Sequence, residues 1–178
     1  MSLRIAVIGL GYVGLPLAWV LSRKFTVTGF DEDAGRVEEL KSGHDRTGEV
    51  EMSAGGTRTL DFTSEASGLD GADVFIIAVP TPVDGDNKPD LGALVSAAGT
   101  VGRALAKGAI VVLESTVYPG VTENILGPEL EAASGMSAGR DFFLGYAPGR
   151  INPGDREHTL ERITKVVAGQ TPETSARL

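Results

Sequence analysis

The run Gly9-Leu10-Gly11-Tyr12-Val13-Gly14 lies between a short β-branched stretch, Arg4–Ile8, and a segment of helical apolar spacing. Glycines at the first, third and sixth positions of such a turn suit phosphate binding. Gly9 permits the tight turn, Gly11 lets the backbone approach a pyrophosphate, and Gly14 lets the following helix lie close. The free N–H groups of the loop and the partial positive charge of the helix start supply the attraction, with Tyr12 and Val13 in the same loop. Asp31 follows at the end of the next apolar run. A carboxylate there, about 20 residues on, accepts hydrogen bonds from ribose hydroxyls, so the pattern points to a dinucleotide. It also repels a 2′-phosphate, which favours NAD over NADP. Arg36 pulls the other way, because an arginine near this strand end can accommodate that phosphate.

Ligands of open α/β sheets sit beyond the carboxyl ends of the strands. Val79-Pro80-Thr81-Pro82 and Glu114-Ser115-Thr116 fall at two such ends. With the adenosine and pyrophosphate assigned to the glycine run and Asp31, Val79, Pro80, Thr81, Ser115 and Thr116 are left for the nicotinamide side. Thr116 is the residue expected to touch reacting atoms or an ordered water. The hydroxyls of Thr81 and Ser115 either face the ligand or bond the local turn backbone. His44 and His158 are the only histidines, and neither has a partner serine or metal-ligand spacing, so no metal is expected.

Strands and helices in strict alternation must position these residues. Strands are expected at Arg4–Ile8, Thr26–Phe30, Leu60–Thr63 and residues 73–79, 109–113, 141–146 and 163–167, several of them continuous apolar runs suited to burial on both faces. Helices are expected over residues 12–24, from Asp33 as cap to Lys41, from Asp90 as cap towards Gly108, and over residues 121–133 with an interruption near Pro128. Alternation of this kind predicts right-handed βαβ units and one α/β domain, a doubly wound parallel sheet of the Rossmann type.

The 178 residues and 42% hydrophobic content suit one domain with a real core. The net charge of −8 argues against nucleic acid as a partner, though a local backbone nest still holds a small phosphate. With no cysteine, neither a thiol nucleophile nor a thiolate metal site is available in these residues. The start lacks the features of a signal peptide and no apolar run reaches a membrane span, so the expected location is cytoplasmic, with no membrane partner. Near the end, Thr171-Pro172-Glu173 reads as a helix cap followed by proline, and the sequence stops at Leu178. The expectation is a piece of a longer chain; the alternative is a short terminal helix.

Four segments in this order, Gly9–Gly14 with Leu15-Pro16-Leu17, then Val79-Pro80-Thr81-Pro82, then Glu114-Ser115-Thr116-Val117-Tyr118-Pro119-Gly120, then Arg150-Ile151-Asn152-Pro153-Gly154, resemble the UDP-glucose/GDP-mannose dehydrogenase family. The resemblance is strongest to the bacterial branch acting on UDP-N-acetylhexosamines, and it covers residues 1–178 as the family's N-terminal, NAD-binding part. It implies oxidation of a nucleotide sugar's C6 alcohol to the uronate with two NAD per turnover, a place in polysaccharide biosynthesis, and a cysteine, a lysine and most of the sugar pocket in a later portion absent here. It implies that Thr116 helps hold the catalytic water and that Arg150 and Asn152 line the sugar side; otherwise these two are ordinary residues of a surface loop. The segment departs from the family pattern at Gly149, where a glutamate is expected.

Three readings follow. The chain is an NAD-binding fragment of a UDP-sugar dehydrogenase that does not turn over alone, a small dehydrogenase of another class, or a non-enzymatic dinucleotide-sensing module. The second needs a base near the nicotinamide. Its candidates, Lys88, Lys107 and Lys165, stand away from the strand ends by this reading. Weak homo-oligomerisation is also expected, through the apolar face that the missing portion would cover.

Overall fold

The structure, a computed structural model, describes residues 3–53, 58–83, 85–86, 88–149 and 164–178. Seven strands form one sheet: β1 Arg4–Ile8, β2 Thr26–Phe30, β3 Leu60–Thr63, β4 Val74–Ile77, β5 Ile110–Leu113, β6 Phe143–Tyr146 and β7 Ala168–Gly169. Their order is β3-β2-β1-β4-β5-β6-β7. β1 therefore lies between two strands reached by crossovers in opposite directions, and the strand ends diverge there into a crevice. The pairs from β3 to β6 are parallel and only β6–β7 is antiparallel.

Among the described residues, five α-helices pack on the sheet: α1 Gly14–Leu21, α2 Ala34–Lys41, α3 Gly92–Ala104, α4 Gly127–Ser134 and α5 Pro172–Arg177. Alternation of side chains divides the core. Ile5 and Val7 of β1, Val74 and Ile76 of β4, and Ile110 and Val112 of β5 meet Leu17 and Ala18 of α1. The intervening Ala6, Ile8, Phe75, Ile77, Val111 and Leu113 meet Leu94, Ala98 and Val101 of α3 and Leu130 of α4 on the other face. Burial on both faces is why these strands are continuously apolar. α3 and α4 approach closely because Gly102 has no side chain: a Cβ there would stand 2.5 Å from that of Ala133.

The helix boundaries carry local explanations. The Oδ1 of Asp90, the expected cap, accepts from the Gly92 N–H at 2.8 Å, so it serves the start of α3 from one position before the observed cap, Leu91. Asp33 is the extended residue before α2, but its side chain makes no cap bond and pairs instead with Arg46 at 3.3 Å. Thr171 does cap α5, accepting from the Thr174 N–H at 3.1 Å. The interruption expected near Pro128 takes the form of a π-helical turn, Thr122–Leu126, leading into α4.

Two expectations are corrected at the last strand. Residues 164–167 form no strand, and Val166 is 52% exposed. The chain pairs at Ala168–Gly169 instead and runs antiparallel, so the sheet is not wholly parallel. The Ser175 hydroxyl of α5 accepts from the Gly169 N–H at 2.9 Å, on the side of β7 away from β6. Among the described residues, no helix is long and apolar enough to cross a membrane.

Candidate dinucleotide-binding site

A cleft of about 590 Å³ opens beyond the carboxyl ends of β1, β2, β4 and β5. That volume is within the usual range for small-molecule and cofactor sites, roughly 300–1,000 Å³. Its walls come from the loop after β1, the Asp31–Asp33 corner after β2, the Ala78–Thr81 segment after β4, and Glu114–Thr116 after β5.

The glycine loop is built as its sequence requires. Gly9 has φ of 91°, and a Cβ there would fall 2.9 Å from the Ala78 carbonyl oxygen. At Gly14 a Cβ would lie 1.8 Å from the Gly9 oxygen, so only glycine lets α1 rest on the loop. Nothing lies within 4 Å of the Cβ position at Gly11, which faces open cleft. A pyrophosphate thus finds bare backbone where it needs close approach, and the residues fit NAD. Leu10, between Gly9 and Gly11, is fully buried with Leu15, Leu40 and Val50. Gly29 makes room for it, since a Cβ on that residue would meet a Leu10 methyl at 2.9 Å.

Asp31 stands on the cleft wall beside Glu32 and Asp33. Its Oδ2 accepts from the Leu10 N–H at 2.8 Å and its Oδ1 from the Asp33 N–H at 3.0 Å. Three adjacent acids at this corner make it hostile to a 2′-phosphate.

Arg36 requires a correction. It is 5% exposed and does not line the cleft. Its Nε and Nη2 both donate to the Leu10 carbonyl, at 3.0 and 2.9 Å, from behind the loop. Ion pairs to Asp45 at 2.7 Å and Glu39 at 2.9 Å hold it there. Burial pushes the Asp45 carboxyl up, but bonds from Arg36, Thr47 and the Val50 N–H outweigh that and hold it below its usual range. Breaking a buried pair of this kind costs about 3–5 kcal/mol, against about 0–1 kcal/mol for an exposed pair such as Lys41–Glu38.

The nicotinamide-side segments are tied to each other. Ser115 Oγ donates to the Val79 carbonyl at 2.6 Å, and Thr81 Oγ1 donates to the Thr116 carbonyl at 2.7 Å. Both hydroxyls thus bond backbone across the neighbouring strand end, while Val79, Pro80, Thr81, Ser115 and Thr116 all line the cleft. The other nominated cofactor residues, Gly14 and Arg36 excepted, line it as well. Arg150 and Asn152 lie outside the described residues, as does His158. His44 is on an exposed loop after α2, away from the cleft.

Sequence reasoning passed over two groups. Ser96 and Thr100, one helical turn apart on α3, line the cleft; their i, i+4 spacing was the available signal. The second is a part-buried pair, Glu114 with Lys165. Glu114 is 2% exposed yet borders the cleft. Burial pushes its carboxyl up, and the hydrogen-bonded ammonium of Lys165 draws it only part of the way back, so it stays above its usual range. Lys165 does therefore reach a strand's carboxyl end, contrary to expectation. Gly149 packs at the same place: its N–H donates to the Glu114 carbonyl at 3.0 Å, and a Cβ on it would stand 3.7 Å from Glu114 Oε1.

Residues 3–178 match the model of the UDP-glucose/GDP-mannose dehydrogenase family, NAD binding domain. The chain belongs to this family. It is 54% identical over 173 residues to Protein CapL of Staphylococcus aureus and 51% identical to the UDP-N-acetyl-D-glucosamine 6-dehydrogenase of Pseudomonas aeruginosa. Each alignment covers 97% of this chain and 41% of the relative. Among solved structures, the UDP-D-ManNAc dehydrogenase of Pyrococcus horikoshii superposes with a TM-score of 0.85 at 34% identity, covering 98% of this chain and 43% of that one. The chain thus spans about two-fifths of the length of the relatives it matches, and it is the family's Rossmann-type NAD-binding domain.

Proposed function

We propose that this domain serves a cytoplasmic enzyme that oxidises the C6 alcohol of a UDP-N-acetylhexosamine to the uronate. The observation that carries the proposal is the cleft itself, with bare glycine backbone at one end and Thr116 at the other. The names of the relatives support the sugar class, because those identical at about half of the aligned positions include a UDP-N-acetyl-D-glucosamine 6-dehydrogenase.

NAD, when bound, supplies the hydride acceptor. The chain's own residues do the rest of the work on this side. The Gly9–Gly14 loop and the start of α1 bind the pyrophosphate, and Asp31 takes the adenine ribose. The Ser115–Val79 and Thr81–Thr116 bonds keep the two nicotinamide-side segments in fixed relation, which positions Thr116 to hold a water or the substrate oxygen. Glu114 borders the cleft with Lys165 hydrogen-bonded to its carboxyl, which offsets part of the cost of burying that group.

Calorimetric titration of the chain with NAD and NADP tests the cofactor half of the proposal. Binding of NAD between about 1 µM and 1 mM, with NADP much weaker, is the expected result, and no binding of either counts against it. With UDP-N-acetylglucosamine added, the chain alone should form no uronate, because it offers no cysteine to capture the aldehyde for the second oxidation. Uronate formation would overturn the proposed division of labour.

A further inference from the structure

We infer that Arg36 is a positioning residue for the pyrophosphate: by gripping the Leu10 carbonyl from behind, it turns the Gly11 N–H towards the cleft. The inference rests on the dinucleotide reading above and adds a role for a residue that touches no ligand.

Leu10 is held at both of its backbone groups. Its N–H donates to Asp31 Oδ2 at 2.8 Å, and its carbonyl accepts from Nε and Nη2 of Arg36 at 3.0 and 2.9 Å. Its side chain is packed against Leu15, Leu40 and Val50. The Leu10–Gly11 peptide is trans and planar, so its C=O and N–H point in opposite directions. A carbonyl drawn towards Arg36 therefore sends the Gly11 N–H the other way, to the side where Gly11 borders the cleft and the space beside it is open. With the carbonyl released, the peptide could rotate and present an oxygen to the phosphates.

Arg36 is itself anchored. Asp45 accepts its Nη2 at 2.7 Å and also accepts the N–H groups of Thr47, Glu49 and Val50. Glu39 takes Nη1 at 2.9 Å and the Arg46 N–H at 2.6 Å. The turn after α2 thus sets the orientation of a peptide in the phosphate loop. A lysine could not copy the grip, since it presents one ammonium where the guanidinium presents two donors in a fixed fork.

The test compares ADP, which carries the pyrophosphate, with adenosine, which does not, by NMR titration of the full 178-residue chain and its Arg36→Gln and Arg36→Lys variants. Arg36→Gln should bind ADP roughly tenfold more weakly, bind adenosine as the unaltered chain does, and leave the NAD-to-NADP preference in place. Arg36→Lys should fall between the two. The Gly11 amide resonance should move in both variants before any ligand is added. Unchanged ADP binding, or equal losses for ADP and adenosine, would overturn the inference while NAD binding by the unaltered chain leaves the dinucleotide reading standing. Should Arg36→Gln fail to fold, Arg36→Lys decides by the same comparison. Failure of the unaltered chain to bind NAD or ADP would overturn both.

Discussion

The hydroxyl of Ser115 reaches across to the carbonyl of Val79, 2.6 Å away, and so joins the carboxyl ends of β5 and β4. Ser115 is buried, so removal of its hydroxyl takes away the side-chain donor to the Val79 carbonyl. Ser115→Ala should cost about 1–2 kcal/mol in urea denaturation. Thr81→Val, which loses a solvent-facing bond, should cost about 0.5 kcal/mol. Equal costs would argue against the difference in burial as the cause.

Gly11 and Gly14 should separate ligand binding from folding. Gly14→Ala drives a methyl into the Gly9 carbonyl at 1.8 Å and should destabilise the chain by about 1–3 kcal/mol or more. Gly11→Ala meets no neighbour, so its melting temperature should stay near that of the unaltered chain while NAD binding weakens. Thermal denaturation with and without NAD distinguishes the two, and a lowered melting temperature for Gly11→Ala would contradict the open space beside that residue.

Asp31→Asn keeps an acceptor for the Leu10 N–H but removes the charge facing the ribose. NAD should bind roughly tenfold more weakly, about 1.4 kcal/mol, and NADP should gain relative to NAD. An unchanged NAD-to-NADP ratio in parallel titrations would point to Glu32 and Asp33 as the source of selectivity.

Acid stability should depend on Asp141. The hydrogen bond from Arg140, with help from the Ser137 N–H, holds its carboxyl down to about 2 from an ordinary 3.8. A depressed acid contributes stability that is complete above its unfolded pKa and is lost as pH falls through the folded one. Stability should therefore decline between about pH 4 and pH 2, and Asp141→Asn should flatten that decline. Because Arg140 is mostly exposed, added salt should flatten it too.

The sheet order around β1 was legible because β1, β2, β4 and β5 are short apolar runs ending in Gly9, Asp31 and their equivalents, each followed by helical spacing. β7 was not. The apolar pair Val166-Val167 looked like a strand interior, yet both residues are exposed, and pairing falls on Ala168–Gly169, two small residues with no periodicity to read. At the site, the cofactor residues nominated by type and strand-end position line the cleft, Gly14 and Arg36 excepted. They could not show direction. Arg36 lies in the first turn of α2, and its chemistry suits either a 2′-phosphate or a carbonyl; burial against Leu10, Glu39 and Asp45 decides for the carbonyl. The Glu114–Lys165 pair spans 51 residues of sequence, and no local spacing encodes a meeting at that range.

The last strand has a consequence for how the molecule behaves among its own copies. A sheet that ends on a bare row of N–H and C=O groups invites a foreign strand to dock there and grow an aggregate. β7 is two residues long, and Ser175 already occupies its outward N–H. α5 covers the rest so tightly that a Cβ on Gly169 would stand 2.4 Å from the Ser175 nitrogen. This margin is therefore a stopped end, giving a neighbouring chain almost no template on which to polymerise.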